Sequence, residues 1–460
     1  MAIQVVILAA GQGKRMRSHL PKVLHPLGGK PLLAHVIDTA LAISPNVKPI
    51  VICGHQSKVL QDAFSRQELN WVLQKEQLGT GHAVLQALPQ IAEHDRVLVL
   101  SGDAPLIMPE TLQRLVDVTP ADAVGILTAT LADATGYGRI KRNKQQQVIQ
   151  IVEEKDAGDQ DKAIREINAG IYLVPAAKLK KWLPLLKNNN AQGEYYLTDI
   201  IAHAVADKMA IHDAQPFSSE EIFGVNDRVQ LAQLERAYQR RLVEALMRSG
   251  VTVIDPARLD IRGNVKIGSD VTIDVNVILE GRIVIGDGCM IGPNSFIRNT
   301  ELADRVEIRA NSMLDGAVIG ADSVIGPFAR IRPGTVLAQE VHIGNFVELK
   351  NTVVREATKI NHLSYIGDSD VGKQVNVGAG TITCNYDGAN KHKTYIGDRV
   401  QIGSGTQLVA PVTVGEGATL GAGSTLTKDA PPNQLTLTHR LEQRTLERWV
   451  RPVKSEKVEG

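Results

Sequence analysis

The residues able to do chemistry gather first at a glycine turn. An apolar run, 5–10, is followed at once by Gly11-Gln12-Gly13, then by Lys14 and Arg15 and, past a loop, by Lys22. Backbone amides flanked by cations suit a polyphosphate. A tight strand-to-helix turn is the plainer reading of the same residues. The dinucleotide pattern GxGxxG fails, because Met16 stands where its third glycine belongs, and no Gly-Lys-Ser/Thr exists for a Walker loop. A second cluster, Ser101-Gly102-Asp103, directly follows the apolar run 97–100. That is the strand end at which open α/β sheets bind ligands, although Asp103 before Ala-Pro also fits a turn aspartate. His362 is one of twelve histidines, and a lone histidine is ordinarily structural. Cys53, Cys289 and Cys384 are odd in number and far apart, which excludes a disulfide framework and a CxxC metal site and fits a reducing compartment.

The elements that must position these groups differ between the two halves. In the first, apolar runs at 5–10, 49–52, 97–100 and 124–127 alternate with helix-like segments such as 31–41, which predicts an α/β sheet wound with helices. Leu231, Leu234, Tyr238, Leu242 and Leu246 fall at helical spacing, and Gly250 suits a helix end. This predicts three parts: a domain over 1–225, a linker helix over 226–250, and a second domain over 251–460 that ends in a tail.

The second half repeats. Every sixth residue from Ile261 to Ile297 is aliphatic, as are Ile319, Ile325, Ile331, Leu337 and Ile343, and then Ile396, Ile402, Leu408, Val414, Leu420 and Leu426. Glycine often follows the slot. This is the hexapeptide signature of a parallel β-helix, in which each short strand sends one aliphatic side chain inward and three faces make a coil of roughly 18 residues. The period does not give the hand of the coil. It breaks between Ile297 and Ile319, between Ile343 and Ile366, and between Val377 and Ile396, where extra residues are expected to loop out. The second break would let His362 project. The stretch 383–395 has no aliphatic slot and predicts a protruding loop, the kind of place where sites sit on rigid scaffolds.

Composition narrows the function classes. The 460 residues carry 51 Lys+Arg against 50 Asp+Glu, a formal net charge of +1, which excludes a broad basic surface for nucleic acid or an acidic tail. At 43% hydrophobic and 22% charged the chain is an ordinary globular sequence. No apolar run approaches a membrane span, and the N-terminal run lacks the basic flank of a signal peptide, so a cytoplasmic protein is expected.

The stretch 8–16, with Leu20-Pro21-Lys22, resembles the signature of sugar-1-phosphate nucleotidylyltransferases. Gln77-Leu78-Gly79-Thr80-Gly81-His82, Gly136-Tyr137-Gly138-Arg139-Ile140, the stretch 188–199 and Asn361-His362-Leu363-Ser364-Tyr365-Ile366-Gly367-Asp368 carry the likeness further. Together with the repeat they resemble the bacterial bifunctional N-acetylglucosamine-1-phosphate uridylyltransferase and glucosamine-1-phosphate acetyltransferase family, over residues 3–455. One departure is visible: Lys14 stands where the signature usually has threonine.

The resemblance implies a nucleotidyltransferase domain with a Rossmann-like α/β fold joined to a left-handed β-helix. It also implies UDP-N-acetylglucosamine made for peptidoglycan and lipopolysaccharide synthesis. Uridylyl transfer needs two anions positioned and growing charge neutralised rather than a protein nucleophile. Leu8, Ala9, Ala10 and Gly11 would hold UTP, with Arg15 (catalytic) and Lys22 on its phosphates. Gln74, whose amide donates and accepts, would meet the uracil edge beside Gly79 and Thr80. Ser101, Gly102 and Asp103 follow, with Asp103 and Asn226 as Mg²⁺ ligands, while Gly138, Glu153 and Asn168 hold the sugar. On physics alone Asn226, just before a helix, reads as an N-cap, and Glu153 beside Glu154 and Lys155 as a solvated face. For acetyl transfer from acetyl-CoA, His362 would be the base, Arg332 and Lys350 would bind the sugar phosphate, and Tyr365 and Asn376 the sugar. Ala379, Asn385, Tyr386, Ser404, Ala422 and Arg440 would line the acetyl-CoA groove. The small residues among them also fit plain β-helix turns. A homotrimer is implied, with no nucleic acid and no membrane insertion. Two further readings are a single-activity nucleotidylyltransferase whose β-helix only assembles or regulates it, and a sugar-nucleotide sensor. His362 in its Asn-His-Leu-Ser-Tyr setting argues against the former, and turnover separates the latter.

Overall fold

The computed structural model describes residues 2–438 together with Thr445, Glu447 and Arg448. The chain separates into two compact units, the first built mainly of residues 1–248 and the second mainly of 282–460, with 249–281 shared between them.

The first unit is built on a mixed sheet. Its central strand Ile3–Ala9 pairs parallel with Arg96–Ser101 on one side and Ile50–Cys53 on the other, and Asn70–Leu73 lies outside the latter. These are the apolar runs expected from sequence, and Val5, Val6, Ile7, Leu98, Val99 and Leu100 are almost wholly buried because helices cover both faces. Beyond Arg96–Ser101 the strand Glu166–Pro175 runs antiparallel and carries a bulge between Asn168 and Tyr172. The chain goes from the central strand to one side, then returns to the other through Arg96–Ser101. The carboxyl ends of those two strands therefore form the switch point at which such sheets bind ligands. The register pairs Leu8 with Ser101, and Gly102 N donates to the Leu8 carbonyl (2.9 Å).

The helix expected over 226–250 spans Arg228–Arg248. Its Leu234 and Ala237 are buried, and with Tyr238 they pack against Met16, Leu27, Leu32 and Leu106, so its apolar face belongs to the first unit. Asp227 caps it, accepting from Gln230 N (2.9 Å). The N-cap reading of Asn226 is thus displaced by one residue.

The second unit stacks short parallel strands in three columns. On one face Ile273, Ile291, Ile308, Ile325, Ile343, Ile360, Val377, Ile402 and Leu420 lie above one another and are buried. The aliphatic slots are therefore the inward positions that the hexapeptide pattern predicted. The register breaks need correction. Ile291 pairs with Ile308 and Ile343 with Ile360, so coils of 17 residues are mixed with coils of 18. The first two breaks are faces closed by five residues instead of six, and nothing loops out there. The long insertion lies in the coil from Val377 to Ile402, which spans 25 residues. It lies between strands Ile382–Cys384 and Thr394–Ile396, narrower than 383–395 because both ends continue the ladder. Part of the tail is also strand: Leu435–Thr436 extends the first column.

Candidate functional site

The nucleotide-side residues expected from sequence come together at the switch point. Leu8, Ala9, Ala10, Gly11, Lys22, Gln74, Gly79, Thr80, Ser101 and Asp103 line one cleft of about 450 Å³. Gly102 lies beneath it, where a Cβ would press on the Leu8 carbonyl at 3.0 Å. A Cβ at Gly11 would meet nothing within 4 Å, so glycine there leaves the cleft open rather than serving packing. Gly13 is different: its φ is +60° and a Cβ would sit 2.7 Å from Lys22 Cβ.

Asp103, just after strand Arg96–Ser101, and Asn226, just before helix Arg228–Arg248, converge. Asp103 Oδ1 accepts from Ser101 Oγ (2.6 Å), its Oδ2 accepts from Lys22 Nζ, and the same ammonium donates to Asn226 Oδ1 (3.2 Å). Val225 N holds the Asp103 carbonyl (2.9 Å), which fixes the approach. A carboxylate and a carboxamide oxygen thus meet on one cationic group. That pair suits a hard divalent ion whose remaining ligands are phosphate and water. Asp103 is no mere turn residue, and Lys22, expected on the phosphates, is engaged by these two oxygens. Among the described residues, no cluster of three acidic, histidine or cysteine side chains offers a protein-only metal cage.

Gln74 is buried, and its amide nitrogen donates to the Gly79 carbonyl (3.1 Å) and lies against His82 Nδ1 (3.0 Å). What it retains for a base is the carbonyl oxygen, an acceptor, rather than the donor-acceptor pair expected from its type.

An adjoining cavity of about 350 Å³ shares Leu8, Thr80, Ser101 and Asp103 and takes in Arg15, Glu153, Asn168 and Asn226. Arg15 therefore opens on this second cavity. Gly138 lets this wall close up, since a Cβ there would lie 3.5 Å from Glu153 Oε2 and 3.7 Å from Asn168 Cβ. Asn168 donates to the Tyr172 hydroxyl (2.6 Å) at the strand bulge, which re-aims it. Glu153 is not a solvated face: it is half-buried and accepts from Thr198 Oγ1 (3.1 Å). Burial pushes its carboxyl above the usual range, aided by the charges of Asp199, Asp156 and Glu194. Sequence reasoning did not single out Tyr137, Thr198, Gln12 or Gln77. All four sit inside motif stretches it did mark, and Gln12 Nε2 donates to Gln77 Oε1 (3.4 Å) at the cleft edge.

In the second unit His362 ends strand Lys359–His362, exposed, with Nδ1 3.1 Å from Asn345 Oδ1. It projects from the end of a regular 17-residue coil, not from a register break. Its carbonyl accepts from Gly380 N, Ala379 O from Gly405 N (2.7 Å), and Ser404 O from Gly423 N (2.8 Å). Ala379, Ser404 and Ala422 therefore continue the His362 column up one corner with small side chains. Arg332, Lys350 and Tyr365 belong to the neighbouring column, with Arg332 Nη1 on Glu348 Oε1 (2.7 Å). Asn376 lies on the face of His362, paired with Lys359 and Gln401. Asn385 is buried in the inserted loop, donating to Asp368 Oδ2 (2.5 Å), while Tyr386 is exposed. Lys391, overlooked in sequence, sits on that loop beside Lys350, whose ammonium holds it below its ordinary value. Two facing cations suit an anion. Arg440 lies outside the described residues.

The family model of the MobA-like NTP transferase domain matches residues 5–186, that of the GMPPB C-terminal domain 261–347, and that of the bacterial transferase hexapeptide (six repeats) 393–428. Over 455 residues the chain is 54% identical to the bifunctional protein GlmU of Janthinobacterium sp. (strain Marseille), covering 99% of this chain and all of that one. It is 54% identical over 452 residues to the bifunctional protein GlmU of Azoarcus sp. (strain BH72), covering 98% and 100%. The protein of that name from Cupriavidus pinatubonensis is 52% identical over 455 residues, covering 99% and 100%.

Proposed function

The chain belongs to the bifunctional protein GlmU family, and on that premise we propose how its two activities are divided among its residues. It is a bifunctional enzyme, a uridylyltransferase and a CoA-dependent acetyltransferase of UDP-N-acetylglucosamine synthesis, and the single-activity reading is not favoured. Uridylyl transfer falls to residues 1–225, acetyl transfer to 251–460, and 226–250 links them.

In the first reaction an oxygen of N-acetylglucosamine-1-phosphate attacks the α-phosphate of UTP, and pyrophosphate leaves. Gln74, Gly79 and Thr80 take the base, Gly11 gives the phosphates room, and Glu153, Asn168 and Gly138 orient the sugar. Asp103 and Asn226 would hold Mg²⁺, which would supply charge neutralisation at the phosphates. Lys22 then turns from these oxygens to the phosphates, and Arg15 stabilises the charge that develops. The convergence of the Asp103 and Asn226 oxygens on one cation carries this reading.

In the second reaction the amine of glucosamine-1-phosphate attacks the thioester of acetyl-CoA. Asn345 Oδ1 is an acceptor, so His362 donates its Nδ1–H there and keeps Nε2 as the base that takes the amine proton. Arg332, Lys350 and Lys391 hold the phosphate, and acetyl-CoA lies along Ala379, Ser404 and Ala422 with Asn385, Tyr386 and Arg440. Asn376 lies on another face from Arg332, Lys350 and Tyr365, which supports a site completed between subunits of a homotrimer. Three free cysteines, and no helix among the described residues long and apolar enough to cross a membrane, agree with a cytoplasmic enzyme.

Mass spectrometry of products tests the proposal. Glucosamine-1-phosphate, acetyl-CoA, UTP and Mg²⁺ give UDP-N-acetylglucosamine, free CoA and pyrophosphate. Omitting UTP leaves acetylated sugar phosphate. No acetylation in that control would return the β-helix to a scaffold.

A further inference from the structure

Two protein atoms occupy the donor end of Gln74 in the base cleft. Its Nε2 donates to the Gly79 carbonyl (3.1 Å), which also takes the first helical bond from Ala83 N (3.1 Å), and it lies 3.0 Å from His82 Nδ1. A carbonyl can only accept, so the Gly79 contact settles which end of the Gln74 amide is nitrogen. One Nε2 hydrogen goes there and the other to His82 Nδ1. A ring nitrogen that accepts carries no proton, so this imidazole is neutral with its hydrogen on Nε2. That nitrogen lies 3.2 Å from the Gln86 amide, whose oxygen can take the hydrogen after a half-turn. His82 stands on helix Thr80–Ala87, which Gly79 caps, and the Tyr195 ring flanks it with centroids 6.4 Å apart. One short segment therefore supplies both acceptors, and the chemistry assigned so far gives His82 no part.

With both hydrogens engaged, Gln74 can offer a base only its oxygen. Uracil presents a donor, N3–H, where cytosine presents a bare ring nitrogen. We propose that His82 is a positioning residue that sets base specificity: by accepting the second Nε2 hydrogen it keeps Gln74 Oε1 toward the cleft, so that a uracil nucleotide is taken and a cytosine nucleotide refused. Gln74 could serve cytosine only by turning over. Its oxygen would then face the Gly79 carbonyl and His82 Nδ1, two lone-pair contacts at a buried side chain, and both acceptors would lose their hydrogen. His82 lines neither the base cleft nor the sugar cavity, so it acts through Gln74 rather than on the nucleotide. The inference rests on the uridylyl reading above and adds what fixes its choice of base.

The test is pyrophosphate release by the full chain from UTP or CTP, with N-acetylglucosamine-1-phosphate and Mg²⁺. The wild type should prefer UTP. His82→Leu removes one of the two contacts that hold the Gln74 amide, and the UTP-to-CTP ratio of kcat/KM should fall about tenfold, the worth of one such hydrogen bond. KM for UTP should rise more than kcat falls, because the base is remote from the reacting phosphate. His82→Asn should restore the ratio, since its Oδ1 takes the place of Nδ1 as an acceptor. His82→Gln, whose amide reaches instead to where Nε2 stood, should not restore it, and this half-buried polar variant decides the matter if His82→Leu fails to fold. Acetyl transfer and the melting curve check the fold of each variant. A ratio unchanged in His82→Leu and His82→Gln overturns the inference, as does an equal loss with both nucleotides or a wild type that takes CTP as well as UTP. Absence of transfer from either nucleotide in the wild type would instead overturn the uridylyl reading itself.

Discussion

Asp103→Asn isolates one charge from everything else in the uridylyl site. Asparagine keeps the side-chain size and an oxygen for the Ser101 hydroxyl, now at 2.6 Å. It removes the negative charge that faces the Lys22 ammonium and the divalent ion expected between Asp103 and Asn226. One preorganised electrostatic interaction of this kind is worth about 10²–10³ in rate, or about 3–4 kcal/mol of transition-state stabilisation. The cost to folding is smaller. The side chains of Lys22 and Asp103 are 11% and 19% exposed, between a surface and a buried pair, so losing their attraction costs about 1–2 kcal/mol. In a unit of this size that lowers Tm by a few degrees. Pyrophosphate release at saturating UTP and N-acetylglucosamine-1-phosphate, titrated with Mg²⁺, reads the first effect. Release of the CoA thiol from acetyl-CoA and glucosamine-1-phosphate is the control and should not change. Uridylyl transfer at the wild-type rate under saturating Mg²⁺ would refute the charge argument. Equal loss of both activities would show that Asp103 acts on the fold.

Three more outcomes follow from the same geometry. His362→Ala should lower acetyl transfer about 10²–10⁴-fold and leave uridylyl transfer from added N-acetylglucosamine-1-phosphate untouched, while Asn345→Ala, which frees the imidazole to turn, should lower it less; full retention in His362→Ala would make this residue structural. Gly11→Ala should keep the wild-type Tm, because its Cβ meets no protein atom, yet raise KM for UTP; Gly13→Ala, strained and pressed on Lys22, should cost stability as well, and the two melting curves decide. Burial holds the Glu153 carboxyl above its ordinary value of 4.5 in the folded state, so as pH rises the unfolded chain releases this proton first and the folded state is penalised from about pH 4.5 upward. Glu153→Gln should therefore gain in Tm relative to wild type as pH goes from about 4 to about 7 while KM for N-acetylglucosamine-1-phosphate rises; a Tm difference that does not vary with pH would contradict the burial argument.

Local pattern was enough to specify the β-helix, the strand before the glycine turn and the helix after Asn226. Each rests on a local demand: an aliphatic residue every sixth position, an unbroken apolar run, an apolar stripe at helical spacing. The burial of Glu153 and the pairing of Lys391 with Lys350 were not legible from local pattern, because a charged residue reads the same in sequence whether it faces water or another charge. Tertiary structure decided that the apparent breaks before Ile319 and Ile366 are shortened faces, since five residues close a face as well as six and period alone cannot tell a short side from a loop. It also decided the partners of Lys22. A long flexible side chain has no direction in sequence, and the meeting of Asp103 with Asn226 depends on which strands pair and which helix packs behind them, an arrangement that no local spacing encodes.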